Sequence, residues 1–295
     1  MKKLMQTLLF LILIVFCVYG YFFYQNNRDT SALNTEQIAQ SYERGVTWLL
    51  SHRDEILRDG NPMLWWMLGE SARISGDERV AALYDEFRQN YDRYAADSIW
   101  QVFFSPAKYR GASFPAEAYQ PLVEYQQYFL YTLTCSSQLE REPLIQAQND
   151  PQFCWHGTRM IRPACATHQL MGYRMAQRNN CTIENLDKKI GVLQKTIERQ
   201  LRYDPRVVDV YVQRVLMLVE SDAQQRLKPR WLQRVLQAQL EDGGWSSMQP
   251  IALVGGKQLV FDSKAVTIAT PRSDFHATAQ GVLLMSLLRS KDIQH

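Results

Sequence analysis

From Leu8 to Tyr24 the chain carries no Asp, Glu, Lys or Arg. With Leu4 and Met5 this apolar run approaches the roughly 20 residues that a helix needs to cross a bilayer. Lys2 and Lys3 precede it, and Tyr19, Tyr21, Phe22, Phe23 and Tyr24 close it. Cations hold one end of such a helix in the cytoplasm, and aromatic rings suit the interface at the other. The sequence therefore predicts an uncleaved transmembrane anchor over 1–27, with the main domain beyond the membrane. In a bacterium that arrangement is an inner-membrane, single-pass protein with a periplasmic domain. A cleaved secretory leader is the alternative, but the small-residue cleavage pattern it needs is missing. Lipid attachment at Cys17 is disfavoured by the bulk of Phe16 before it.

The rest of the chain is long enough, among 295 residues with 46% hydrophobic content, to bury a sizeable core. Lys and Arg total 33 against 30 Asp and Glu, a net charge of +3. That balance argues against a nucleic-acid partner, and setting aside the two anchor lysines leaves the soluble part near +1, so strong attraction to anionic lipid or polymer is not expected. No phosphate loop, dinucleotide fingerprint or nucleophile elbow is present. The sequence calls for no cofactor. Asn180, Cys181 and Thr182 form a glycosylation sequon, relevant only in a eukaryotic secretory cell.

After a polar linker over 28–37, apolar residues recur at helical spacing almost throughout. Ile38, Tyr42, Val46, Leu49 and Leu50 mark the first helix. Further helices are predicted over 63–74, 78–95, 119–139, 164–177, 182–201 and 228–240. Thr182 is placed as an N-cap. Asp204 and Pro205 are read as the start of a helix carrying Val207, Val208, Tyr211, Val212 and Val215. The aromatic stretch 98–115 is expected to be a packed loop, and 140–161 to be irregular. Gly255 and Gly256 suggest a turn before a small β-hairpin, with Leu259, Phe261, Val266 and Ile268 in strands joined by Asp262 to Lys264. A last helix opens near Ser273 or Asp274. No linker divides 38–295, so it is read as one all-α domain of about ten helices with a β-hairpin insertion.

Two fragments stand out. Arg44, Gly45, Trp48, Leu49 and Leu50 form the first. Gln239, Gly243, Gly244 and Trp245 close the second, LQAQLEDGGW. They resemble the front and closing halves of the repeat in α/α-toroid proteins such as terpenoid cyclases and prenyltransferases. The string DFHATAQGVLL, from Asp274, is similar to the inner helix that follows in such repeats. The resemblance implies an incomplete α/α toroid made of helical hairpins. The acid-rich motif of terpenoid cyclases is absent, so their substrate does not carry over. Cys154, Trp155, His156 and Gly157 only faintly resemble the zinc-binding element of lanthionine cyclases.

In a toroid the mouths of inner helices line the central cavity, which would gather Asp242, Trp245, Asp274 and His276. A carboxylate beside a histidine sets its tautomer and raises its basicity. His276, Asp274 and Asp242 are therefore the candidate catalytic residues and Trp245 the candidate substrate contact. Asp274 acting as a helix cap, with His276 merely packed, is the plainer alternative. Asp204, Asp209, Glu117 and Glu124 are the other carboxylates available for paired acid–base work. Cys154, His156, Cys165 and His168 have a spacing that zinc accepts. In an oxidising compartment disulfides are the expected fate, and Cys135, Cys154, Cys165 and Cys181 allow three pairings.

Two function classes follow. One is an enzyme or processing factor acting on an envelope carbohydrate or similar polymer in a central cavity. The other is a non-catalytic binding or assembly protein that holds a membrane-proximal protein.

Overall fold

Helical spacing and local start and stop signals organise the computed structural model, which describes residues 2–204, 206, 209–247, 251–252, 258–261 and 266–291. The first element, α1 (Lys2–Asn27), is an unbroken helix of 26 residues. It is long and apolar enough to cross a membrane, and its most apolar window buries nothing against the rest of the protein. Leu8, Phe10, Leu13 and Phe16 are all more than half exposed. A continuous apolar surface of that size is poorly matched to water.

The last turns of α1 dock on the domain. Asn26 is fully buried. Its side-chain amide donates to Leu201 O at 2.7 Å, and its Oδ1 accepts from Tyr211 Oη at 2.9 Å and Arg234 Nη1 at 2.6 Å. Tyr19 Oη donates to Tyr203 O at 2.8 Å, and Lys228 Nζ to Asn27 O at 2.9 Å.

A reciprocal capping box of Asn34 and Gln37 opens α2 (Thr35–Ser51). After the single turn α3 (Arg53–Ile56), Asn61 and Pro62 start α4 (Pro62–Ser75), which Gly76 ends at φ 66°. Asp77 caps α5 (Glu78–Tyr94). The aromatic stretch beyond it forms two 3₁₀ turns, Ile99–Phe103 and Pro106–Tyr109. The single helix expected over 119–139 is three pieces: α6 (Ala116–Tyr119), α7 (Glu124–Thr134) and α8 (Ser137–Glu140). Pro121 cannot continue a helix, and Cys135 turns left-handed at φ 51° to end α7. The short α9 (Pro143–Gln148) precedes two further 3₁₀ turns and α10 (Cys165–Arg178).

Thr182 does not cap the next helix. Asn180 at φ 53° reverses the chain, Cys181 is tied to Cys135 by a disulfide, and α11 (Leu186–Tyr203) begins only after Asn185 at φ 55°. Asp204 is the C-cap of α11 rather than a helix start. Its carboxylate instead bonds the Arg206 backbone and side chain. Pro205, Val207 and Val208 lie outside the described residues. The next helices are α12 (Asp209–Glu220), α13 (Pro229–Gln237) and α14 (Phe275–Ser290). Between the last two, β1 (Ile251–Ala252), β2 (Gln258–Phe261) and β3 (Val266–Ala269) pair antiparallel in that order. Leu259 lies opposite both Ile251 and Ile268. Gly255, Gly256 and the expected turn from Asp262 to Lys264 lie outside the described residues.

The packing order is cyclic. α4 packs on α14, α14 on α12, α12 on α10 and α10 on α7, and the turn Ile99–Phe103 joins α7 back to α4. Flanking helices cover this circuit: α5 lies against α4, α11 against α10 and α12, and α13 against α12. α2 closes on α14. Ala277, Thr278, Val282, Leu284 and Ser286 of α14 are all fully buried, so this helix is covered on every side. Its Ser286 hydroxyl is satisfied by Ser71 Oγ at 2.6 Å. At one end of the circuit Glu220 binds Arg174 and Arg178, and Asp222 binds Lys291. Two disulfides, Cys135–Cys181 and Cys154–Cys165, hold the α7–α11 region.

Candidate functional site

The two half motifs found far apart in the sequence meet in space. Gln239 Nε2 donates to Ser41 O at 2.9 Å and to Gly243 O at 2.7 Å, and Ser41 Oγ donates to Gln239 Oε1 at 3.0 Å. Arg44 Nη2 donates to Leu240 O at 2.5 Å. Gly243 sits at φ 96°, and a Cβ there would run into the Arg44 carbonyl. Trp245 is buried and donates through its indole to Val235 O at 2.9 Å. Its ring lies against Gly45 of α2 and Gly281 of α14, where no side chain would fit without displacement. The tight turn and close approach are what these glycines permit.

Asp242 and Asp274 belong to this closure. Asp242 accepts from Trp48 Nε1 at 3.2 Å, from Ser273 Oγ at 2.6 Å and from Gly244 N at 3.1 Å. Asp274 caps α14 by accepting from Ala277 N at 2.9 Å, and it also accepts from Ser247 N at 2.6 Å. Its own N–H donates to Trp245 O at 2.9 Å. Asp242, Trp245 and Asp274 are thus brought together, with both carboxylates engaged by donors of the fold.

His276 faces elsewhere. Its Nδ1 lies 3.2 Å from Asp209 Oδ2, at the first residue of α12. Burial pushes its pKa down, but the hydrogen bond and charge of Asp209 outweigh it, helped by Asp274 and Asp59, and the net shift is upward. Its Nε2 lies 3.3 Å from the Gln280 side-chain amide. The arrangement places a proton on Nδ1 towards Asp209 and leaves Nε2 as acceptor in the neutral ring. Gln280 is fully buried, and its Oε1 has no partner among the described residues.

A second histidine lies close by with the opposite tendency. His168, in the first turn of α10, stacks on Tyr125 of α7 at 4.1 Å between ring centroids. Burial, then the charge of His276, push its pKa down to about 4, partly opposed by Asp209. Trp65 of α4 lies 5.1 Å from Phe275, the first residue of α14. The starts of α4, α7, α10, α12 and α14 therefore converge on one mouth. Paired titratable groups driven apart in pKa are a recurrent basis for acid–base assignment. Here Asp209 holds the His276 ring through Nδ1 and offsets its charge when it is protonated, while Nε2 is engaged by Gln280.

Sequence reasoning included Asp209 among the available carboxylates but paired His276 with Asp274 and Asp242. Asp209 and His276 sit on helices that only tertiary packing joins. The metal alternative fails on geometry: Cys154 and Cys165 bond to each other, His156 is exposed, and His168 stacks on Tyr125. Among the described residues no group of three His, Cys, Asp or Glu could hold a metal ion. Cys181 pairs with Cys135.

A second feature has no counterpart in the sequence reading. A cleft of about 1160 Å³ separates α1 from the domain, and of the four residues singled out above only Trp245 lines it. Asp204 in this cleft accepts from Arg206 Nε at 2.8 Å and Arg214 Nη1 at 2.9 Å. Burial raises the Asp204 pKa, but the two guanidinium groups win and hold it below the usual carboxylate range. Comparison with family models, with curated proteins and with solved structures found no match for this chain.

Proposed function

We propose that this chain is a signal-anchored, extracytoplasmic helical protein of α/α-toroid type that binds and processes an envelope carbohydrate or similar polymer at the mouth of its helix circuit. The observation that carries this reading is the His276 Nδ1–Asp209 Oδ2 contact of 3.2 Å where five helix starts converge. His276 is the acid–base group, and Asp209 takes the partner role first given to Asp274 and Asp242. The alternation of circuit and flanking helices supports the toroid assignment, as does the joining of the two half motifs at Gln239 and Ser41. The two disulfides support an oxidising compartment. Lys2 and Lys3 support a cytoplasmic N-terminus in the inner membrane.

The test uses the full chain in detergent micelles with fragments of envelope glycans, read by thermal stability and by product formation. A glycan that raises the melting temperature of the wild type and of Asp209→Asn, but is turned over only by the wild type, supports the reading. A glycan bound equally by wild type and His276→Ala, with turnover by neither, favours the second reading. That reading is a non-catalytic binding or assembly protein at the membrane. It draws on the cleft beside α1, which Trp245 lines and His276 does not.

A further inference from the structure

The lining of the cleft between α1 and the domain combines two chemically distinct groups of side chains. Ile14, Val15 and Val18 of α1 supply apolar lining together with Met160 and Ile161. The latter two are 61% and 82% exposed, although both are apolar. Arg206, Arg214, Arg230 and Arg234 supply cationic lining, with Asp204 the single carboxylate among the described lining residues. Arg162 also lines the cleft but is bound by Glu124 outside it. The cluster is therefore cationic in a domain whose overall charge is close to zero.

The guanidinium groups of Arg214, Arg230 and Arg234 are set into the domain, and that of Arg206 stands half-exposed beside them. The Arg214 side chain is 3% exposed, and its Nε has no hydrogen-bond partner among the described residues. Arg230 is 9% exposed and holds Gln25 O through its Nε at 2.8 Å, fixing the cationic cluster to the end of α1. Burial lowers the pKa of Arg214, Arg230 and Arg234. A buried cation cluster with too few carboxylates is stabilised by an anion, and guanidinium forks match phosphate oxygens.

Position selects the source of that anion. Tyr19 Oη reaches Tyr203 O, so the domain descends along α1 by about 12 Å below Asn27 at 1.5 Å per residue. Arg230 and Arg234 are held at the level of Gln25 and Asn26, just beyond the apolar run and at the headgroup level, while Ile14, Val15 and Val18 lie among the acyl chains.

We propose that this cleft is a binding site for the phosphate headgroup of an anionic membrane lipid, with its chains laid along α1, Met160 and Ile161. The site is separate from the His276 mouth and does not depend on the function proposed for it.

The experiment uses the full chain purified in mild detergent and native mass spectrometry with three probes: phosphatidylglycerol, phosphatidylcholine and inorganic phosphate. The expected result is one retained phosphatidylglycerol, favoured about tenfold over phosphatidylcholine. Arg206→Gln with Arg230→Gln abolishes that preference, and Arg93→Gln on the exposed surface leaves it unchanged. Should the double variant fail to fold, Arg206→Gln alone, at a half-exposed position, is expected to reduce the preference severalfold. Ile161→Glu weakens retention of the lipid. Equal retention of both lipids, or a preference that survives the arginine changes in a folded protein, overturns the site. Inorganic phosphate that displaces phosphatidylglycerol at equal concentration overturns the lipid assignment in favour of a soluble anion.

Discussion

Ser41 and Gln239, 198 residues apart, are joined by two hydrogen bonds, Ser41 Oγ to Gln239 Oε1 at 3.0 Å and Gln239 Nε2 to Ser41 O at 2.9 Å. Gln239 also ties the Gly243 carbonyl, so one amide fastens the turn after α13 to the side of α2. Each link is buried, where loss of a partner leaves an unsatisfied group.

Gln239→Ala is therefore expected to lower unfolding stability by about 2–3 kcal/mol, since buried partners are left unpaired. Gly243→Ala adds a left-handed strain and a backbone clash, with a loss of about 2–4 kcal/mol. Chemical denaturation of the full chain followed by tryptophan fluorescence measures both. Wild-type stability in either variant would mean that the seam between α2 and the turn is not a structural contact.

Asn26 serves four partners from inside the domain: Leu201 O, Arg202 O, Tyr211 Oη and Arg234 Nη1. Asn26→Ala should destabilise the domain by about 2–4 kcal/mol, because the Tyr211 hydroxyl and the Arg234 guanidinium lose a buried acceptor. Leu13→Ala, within the exposed apolar stretch, should leave the domain transition unmoved. Equal effects of the two substitutions would contradict the docked end of α1.

Reduction should separate the two disulfides by loop length. The Cys135–Cys181 bridge closes 46 residues and the Cys154–Cys165 bridge 11. Chain entropy assigns about 4 and about 3 kcal/mol to loops of these lengths. Cys135→Ala with Cys181→Ala is expected to lower the melting temperature further than Cys154→Ala with Cys165→Ala. Mapping of cystine peptides without reduction should return only these two pairs.

The two histidines at the helix mouth respond to pH in opposite directions. The folded pKa of His168 lies at about 4, below that of an unfolded histidine near 6.5. The unfolded chain binds a proton there that the folded chain refuses. Stability should fall by up to about 3 kcal/mol as the pH drops from about 6.5 towards 4. For His276 the folded pKa is raised. Its contribution is complete below about pH 6.5 and is lost as the pH rises through the folded value. His168→Phe should flatten the acid limb, and Asp209→Asn should remove the neutral-to-basic one. Stability profiles from pH 4 to 9 read both, and an acid limb unchanged in His168→Phe would refute the assignment.

What the sequence revealed was local. Asp274 announces a helix start through chemistry within three residues, whereas the equally local Asn34–Gln37 box lies inside the stretch read as a linker. The apolar run of α1 needs no neighbour to be read. The reading over 119–139 failed because apolar periodicity continues across Pro121 and Cys135, where the backbone does not. Thr182 was a sound cap by residue type, but its neighbour Cys181 is committed to Cys135. The Asp209–His276 pair and the arginine cluster depend on helices packed in a circuit. Net charge conceals such a cluster, because carboxylates elsewhere balance it.

The seam between α2 and the turn after α13 also sets an order of events during synthesis. A chain made from its N-terminus completes α2 early, yet Gly45, Trp48 and Ser41 find their partners only when Trp245, Asp242 and Gln239 emerge, the last of them 198 residues after Ser41. Until then the circuit cannot close, and long-range closure of this kind is slow and leaves apolar surface open. A ribosome that stalls before residue 239 therefore releases a product in which this side of α2 is uncovered. The same seam makes completeness visible to proteases, which meet an open edge in every truncated copy and a shut one in every finished copy.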